Sequence, residues 1–497
     1  MPLGWFCQGF EDRIPTTTKG AGFMTAATNR TADRRRFFQT GAAAALGWTL
    51  GSPRVQGDAA AAGLVENGTY IEPPRRVPVV ADADVVVCGG GPAGVTAALA
   101  AARAGARTRL LEAHGCLGGI WTSGLLSYIL DSGNKPGIMR EILAALQARE
   151  EDVRRAPSMY DPEALKLLLE QMCQEAGVAL QLHTHCAAAV RDAANRLALV
   201  VTESKSGREA IAGKVFIDCT GEGDVAHQAG CGWDYGRPET GDAQPMSFIV
   251  LLTGIHLDEI RPYVSSLPGD TWAAPKDALA GLIKESSGFG PSYAKPSLFP
   301  IRETLFCLMA NHEYGLRGFD VRDVTRATLQ GRAELHRMID GLRSLGGPWK
   351  GLRICSSPER IGVRESRRIH GRYTLSSDDI TRGARFDDAV CCCTFPVDVH
   401  STAADRGKGI EAAPVRAKPF DIPYRSLVAK DVDGLLLAGR CISGDFYAHS
   451  AYRVTGNAVG MGQAAGLAAA TAVKEGVLPH EVDWTELAKT APWSENA

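Results

Sequence analysis

Val85, Val86 and Val87 form an apolar run without polar alternation, the pattern of a parallel strand covered on both faces. The run enters Gly89-Gly90-Gly91 and leaves through an alanine-rich stretch, which predicts a helix from about Pro92 to Ala104, ended by Gly105. A second strand is predicted over 107–112, completing a βαβ opening of about thirty residues. Further on, Asp161 suits a helix cap, Pro162 the first turn and Gly177 the end, with Leu165, Leu168, Leu169 and Met172 on one face. Strands are predicted at 178–182, 186–190, 197–202 and 215–218. From 232 to 420 the pattern is mixed and interrupted by Gly-Pro-rich stretches such as SSGFGPSYAKPSLFP (286–300). A buried strand returns in VDGLLLA (432–438), and a long Gly/Ala-rich helix is predicted over 457–473.

Similar elements at both ends of a dissimilar middle predict an α/β nucleotide-binding domain interrupted by a mixed α+β substrate domain. The expected divisions are a leader (1–62), a linker (63–81), a first nucleotide-domain part (82–231), the substrate domain (232–420), a second nucleotide-domain part (421–478) and a tail (479–497).

Composition narrows the partners. The 497 residues are 45% apolar, enough for a large core, and a formal net charge of −2 argues against nucleic acid or a membrane surface bound through bulk charge. No run of eighteen apolar residues occurs, so no spanning helix is expected. The 13 cysteines include no CxxC pair, and Cys391-Cys392-Cys393 are poorly placed for one metal ion; no metal is expected, and most cysteines read as small buried hydrophobes.

Arg34-Arg35-Arg36-Phe37-Phe38 resembles a twin-arginine export motif. A weakly apolar segment follows, then Ala59–Ala62 with A-x-A cleavage possibilities, so export to the periplasm is expected. Met24 suits the start of such a signal better than Met1, so residues 1–23 are expected to be an upstream extension. Twin-arginine substrates cross folded, a route that suits a protein loaded with its cofactor beforehand.

Gly89, Gly91 and Gly94 supply GxGxxG spacing, with Pro92 and Ala93 opening the helix. The first glycine permits the tight turn, the second admits phosphates to the backbone, and the third packs helix on strand. Free N–H groups at the helix start favour the anion. Glu112, closing the second strand, is placed to accept from a ribose hydroxyl and disfavours NADP.

Gly118-Gly119 with Thr122, FIDCTGEGDVAHQAG (216–230) and LLLAGRCISGD (435–445) extend the set. Here the chain resembles FAD-dependent oxidoreductases of the glutathione-reductase-like superfamily. Within it, the chain is similar to the family carrying RESRRI-x-G-x-Y (364–373), FPVDVH (395–400), IPYRSL (422–427), GRCISGD (439–445) and a GQAAG helix (462–466). The resemblance spans roughly 82–478 and implies a Rossmann-like FAD-binding domain. It implies that Gly89, Gly91 and Gly94 hold the pyrophosphate and that Glu112 holds the ribose. Cys186 would offer backbone to adenine, Thr220-Gly221 would flank the dinucleotide beside Gly439-Arg440, and Asp445 would accept from the ribityl chain. Gly456, Asn457 and Ala458 would aim a helix start at the flavin. Only one nucleotide fingerprint occurs and Cys116 stands alone, so neither NAD(P)H nor dithiol chemistry is expected. Electrons would come from a small-molecule substrate and leave to oxygen or an external acceptor.

Hydride removal from an alcohol, sugar or amine needs a base. His449 in SGDFYAHSAYRV is the first candidate, with Tyr447 and Arg453 beside it. His400 with Asp398 is the second, since residues two apart on a strand share a face. Arg364, Glu365, Arg367 and Arg368 read first as a salt-bridge network between domains, with substrate contact as the alternative. The alternatives are a C=C reductase fed by an external donor and a non-catalytic flavin electron carrier.

Overall fold

The computed structural model describes residues 64–149, 158–267, 273–489 and 491; the twin-arginine stretch lies outside them. Two compact units divide at Pro74. In the first, Leu64–Glu66 pairs antiparallel with Thr69–Ile71 across Asn67-Gly68. Both turn residues have positive φ, 50° and 75°, the geometry for which Asn-Gly is the strongest hairpin signal. The irregular linker expected here therefore contains a hairpin.

The second unit begins at Arg75. Its frame is a sheet built from β1 (Val79–Cys88), β2 (Thr108–Leu111), β3 (Ala179–Gln181), β4 (His185–Arg191), β5 (Leu197–Ser204) and β6 (Gly207–Asp218), in the order β3-β2-β1-β6-β5-β4. Strands β3, β2, β1 and β6 run parallel, whereas β5 and β4 fold back antiparallel. Helix α1 (Pro92–Arg103) crosses from β1 to β2, and α2 (Pro162–Glu175) precedes β3. Asp161 caps α2 by accepting from the Glu163 N–H. Val85, Val86 and Val87 are fully buried, each contributing roughly 1.5–3 kcal/mol by leaving water.

An antiparallel sheet follows, built from β7 (Ile249–Thr253), β8 (Ser297–Arg302), β9 (Leu305–Met309) and β10 (Arg353–Ser356), ordered β8-β9-β7-β10. Helix α3 (Val321–Ser344) buries Leu335, Met338 and Leu342 in one core with Val250, Leu252 and Leu308. The chain then forms the pair β11 (Ala389–Cys393) and β12 (Phe420–Pro423). It returns to the first sheet as β13 (Leu435–Leu437), parallel to the end of β6.

Helices α4 (Phe446–Tyr452) and α5 (Thr455–Glu475) close the unit. The Gly/Ala content of α5 has a packing cause. A Cβ at Gly462 would sit 2.1 Å from the Ala93 carbonyl, and one at Gly466 equally close to that of Ala97. Helices α1 and α5 thus meet backbone to backbone, running in the same sense.

Candidate functional site

Register brings the loops together. Cys88 pairs with Leu111 and with Asp218, and Asp218 pairs with Leu437, so four parallel strands end in one row. The loops beyond that row form the crevice where parallel sheets bind ligands. Gly89, at φ 99°, faces the Cys219 carbonyl so closely that a Cβ would lie 2.4 Å from it. At Gly94 the clash would be with the Gly89 carbonyl, at 1.7 Å. Gly91 differs: a methyl there would meet no protein atom within 4 Å. Gly118 donates to the Gly90 carbonyl (2.7 Å), and Gly119 abuts the Gly91 Cα. Glu112 accepts from Gly90 N–H (2.5 Å) and His114 N–H (2.8 Å), fastening the turn to β2.

The start of α5 lies seven residues before Gly462, about 10 Å along the axis from its contact with Ala93. No side chain caps it. Thr455 Oγ1 and Asn457 Oδ1 are buried there without hydrogen-bond partners. Gly456 is docked on the loop behind, its N–H donating to the Leu130 carbonyl at 3.0 Å.

Beside this helix start stands a chain of titratable groups. Arg453 Nη2 lies 3.0 Å from Asp398 Oδ2, which lies 3.2 Å from His400 Nε2. His400 Nδ1 is 3.1 Å from His312 Nε2, and His312 Nδ1 is 3.1 Å from the Tyr314 hydroxyl. Tyr314 also reaches the Ser292 carbonyl at 2.9 Å. Gln244 Oε1 accepts from His400 N–H and from Arg453, tying the chain to the α4–α5 junction. Burial, then repulsion from Arg364, pushes His400 down to about 4 and holds His312 well below the usual histidine range. Burial opposes ionisation of Asp398, but His400, then Arg453 and Arg364, outweigh it and keep the carboxylate charged.

The model of the FAD dependent oxidoreductase family matches residues 84–490. The chain belongs to that family. FAD is its cofactor, and the crevice fits it: Gly91 leaves room for a pyrophosphate against the start of α1, and α5 presents unpartnered polar atoms where the flavin end is expected. No curated protein matches the sequence. Solved structures of similar fold include a geranylgeranyl bacteriochlorophyll reductase-like protein from Thermoplasma acidophilum, with 14% identity, 80% of this chain and 78% of that one covered, and TM-score 0.39. The flavin-dependent brominase Bmp2 has 12% identity, 81% of each chain covered and TM-score 0.42. The p-nitrophenol 4-monooxygenase PnpA from Pseudomonas putida has 11% identity, 82% and 85% covered, and TM-score 0.40.

Within this FAD dependent oxidoreductase, the remaining residues singled out by sequence fall in several places. Gly439 packs on Ala93 at the crevice, and the Arg440 guanidinium lies under Gly221 while bonding Glu222 at 2.6 Å. Thr220 donates to Asp218 (2.7 Å) and accepts from Asp224 N–H, which shapes its turn. Ala458 lies in the first turn of α5. Five residues sit differently from expectation. Thr122 is fully buried with its hydroxyl committed to the Leu117 carbonyl, so it braces the Gly118 turn. Cys186 is paired across to Thr202, and its carbonyl accepts from Gln228. Asp445 caps α4 through Ala448 N–H and holds Ser377 with its other oxygen. His449 is 0% exposed, edge-on to Tyr452, with neither ring nitrogen in a well-formed hydrogen bond and no face open to a substrate. The Tyr447 hydroxyl accepts from Arg237 Nη1 at 3.1 Å.

His312 and Tyr314 carry no motif in the sequence. They follow β9, more than eighty residues before His400, and only the fold brings the rings together. Among the described residues no three His, Cys, Asp or Glu side chains are grouped to hold a metal, and no helix is long and apolar enough to cross a membrane.

Proposed function

We propose that this enzyme oxidises a small organic substrate, an alcohol, sugar or amine, and that the Asp398–His400 pair receives the proton released with the hydride. Bound FAD supplies the hydride acceptor. The observation that carries the reading is the Arg453–Asp398–His400–His312–Tyr314 chain beside the α5 start. Asp398 Oδ2 is shared between Arg453 and His400, while among the described residues no protein group bonds Oδ1, and Asp398 retains accessible surface. A substrate O–H or N–H therefore has Oδ1 to donate to.

The chain accommodates the proton without leaving a lone pair facing a lone pair. With Asp398 charged, His400 donates from Nε2, His312 donates to His400, and Tyr314 donates to His312. With one added proton every donor reverses, and Tyr314 turns its O–H to the Ser292 carbonyl already within reach. His449 was the first candidate for this role, but its complete burial argues for His400 instead. The test is anaerobic bleaching of the yellow protein by a panel of alcohols, sugars and amines. Bleaching in wild type and its loss in His400→Gln with FAD retained supports the reading; bleaching by external reductants alone counts against it.

The same reading divides the second unit into an FAD-binding part of glutathione-reductase-like type (82–231 and 421–478) and a substrate part (232–420). Electrons would leave to oxygen or an external acceptor. Export through Arg34–Arg36 completes the proposal, and fractionation of a strain expressing the Arg35→Lys, Arg36→Lys variant tests it.

A further inference from the structure

The guanidinium groups of Arg453 and Arg364 both act on Asp398, and among the described residues only Arg453 of the two has a carboxylate partner. Arg453 commits Nη2 to Asp398 and Gln244. Arg364 commits Nη1 to the Pro245 carbonyl (2.9 Å) and the Ser247 hydroxyl (2.7 Å). Among the described residues nothing bonds its Nε–Nη2 edge, the edge that meets a carboxylate side-on. The adjoining Glu365 is spent elsewhere, on Arg368 at 2.6 Å and on Gln244 N–H at 2.9 Å.

Arg364, Arg453 and Asp398 all retain accessible surface, whereas His400 is 6% and His312 2% exposed. The arginines lie deep enough that burial, and then Arg453, pushes Arg364 down to about 10. Buried cations that repel one another are costly without a counter-ion; Asp398 and Glu365 both attract Arg453, whereas among the described residues no carboxylate bonds Arg364. A neutral sugar or polyol would leave the Arg364 edge desolvated and unpaired; an anion would complete it.

We propose that the substrate carries a carboxylate, as a small hydroxy or amino acid does, and that Arg364 seats it through its free edge. This rests on the oxidation reading above and narrows its substrate class. Shape decides the anion: the Arg364 edge is a planar fork matched to two coplanar oxygens.

The FAD-loaded full chain is titrated with benzoate, acetate and lactate, each against its neutral amide, by flavin absorbance and by calorimetry. At least one carboxylate is expected to bind tenfold or more tighter than its amide. Arg364→Gln is expected to weaken that carboxylate at least about tenfold, the scale of one charge-assisted hydrogen bond, and to leave the amide unchanged. Arg364→Lys keeps the charge and retains part of the preference; it carries the comparison if the glutamine variant does not fold. Failure of every carboxylate to exceed its amide, or an Arg364→Lys or Arg364→Gln protein with wild-type preference, overturns the proposal. Bleaching by a neutral alcohol with no carboxylate preference would overturn this inference while leaving the oxidation reading standing.

Discussion

The rings of His400 and His312 share a hydrogen bond, 3.1 Å between Nδ1 of the first and Nε2 of the second. Two imidazoles so joined cannot both be cations. Burial and Arg364 keep the pair uncharged at neutral pH. A neutral pair next to a charged Asp398 is a proton acceptor in waiting, and the structure offers no equivalent at His449.

That contrast is measurable. His400→Gln is expected to slow flavin reduction by substrate about a hundredfold or more, the usual worth of a positioned acid–base group. His449→Leu, which replaces two unsatisfied nitrogens by apolar atoms of similar volume, is expected to reduce at a rate within about fivefold of wild type. Stopped-flow absorbance decides, and the reverse ranking would return the chemistry to α4.

The histidine pair also sets an acid limit on stability. His400 titrates near 6.5 when unfolded and about 4 when folded. The unfolded chain therefore takes up its proton first as pH falls, and stability present above 6.5 is lost down to about 4. His312 shifts in the same direction. Glu313, raised to about 7 by burial, and Asp224, raised to about 6, oppose them, gaining protons in the folded state first. The pair is isolated by comparing wild type with His312→Gln/His400→Gln in urea. The wild-type advantage at pH 7 should shrink by about 2 kcal/mol or more at pH 5. A constant gap would mean that the histidines are charged in the fold.

Local pattern revealed the parts of this molecule that local physics controls. Val85–Val87, the glycine turn and the Asp161 cap are each written within a few residues, and α1 and α2 fall within two residues of expectation. Gly439 reaches the crevice because β13 is a buried apolar run. The Asn67-Gly68 hairpin was legible but lay in a proline-rich stretch that masked it. His312 was not legible: nothing near NHEY (311–314) distinguishes it, and its partner comes from a different segment of the chain. Asp445 shows the converse. Its motif marks a helix cap as readily as a ribityl contact, and the structure fills both oxygens from protein.

Gly91→Ala separates folding from cofactor binding. The backbone at Gly91, φ −71°, admits any residue, and the added methyl meets no protein atom. The apoprotein should melt within about 2 °C of wild type, since substitutions that create neither clash nor cavity change stability little. FAD affinity should fall at least about tenfold, because the methyl occupies the approach of phosphate to backbone. Gly94→Ala, aimed at the Gly89 carbonyl, should fail in folding itself. Equal FAD affinity for Gly91→Ala would move the pyrophosphate elsewhere.

The start of α5 is held by a buried ion pair whose removal should be felt at the cofactor. Lys135 Nζ lies 3.1 Å from Asp131 Oδ2, with side chains 1% and 4% exposed. Asp131 also accepts from Thr394 N–H at 3.1 Å, so the pair fastens residues 130–135 to the end of β11. The Leu130 carbonyl receives the Gly456 N–H, and a Cβ at Gly456 would lie 2.3 Å from the Asp131 carbonyl. Lys135→Met strands a buried carboxylate and is expected to cost about 3–5 kcal/mol in urea unfolding at pH 7. Adding Asp131→Asn removes the stranded charge and should restore all but about 1–2 kcal/mol, the remaining hydrogen bonds being neutral. FAD retention on dilution should follow the same order, weakest in Lys135→Met, because the helix start expected to face the flavin end is docked on that loop. A Lys135→Met protein of wild-type stability with loosened FAD would instead place the lysine charge at the cofactor itself.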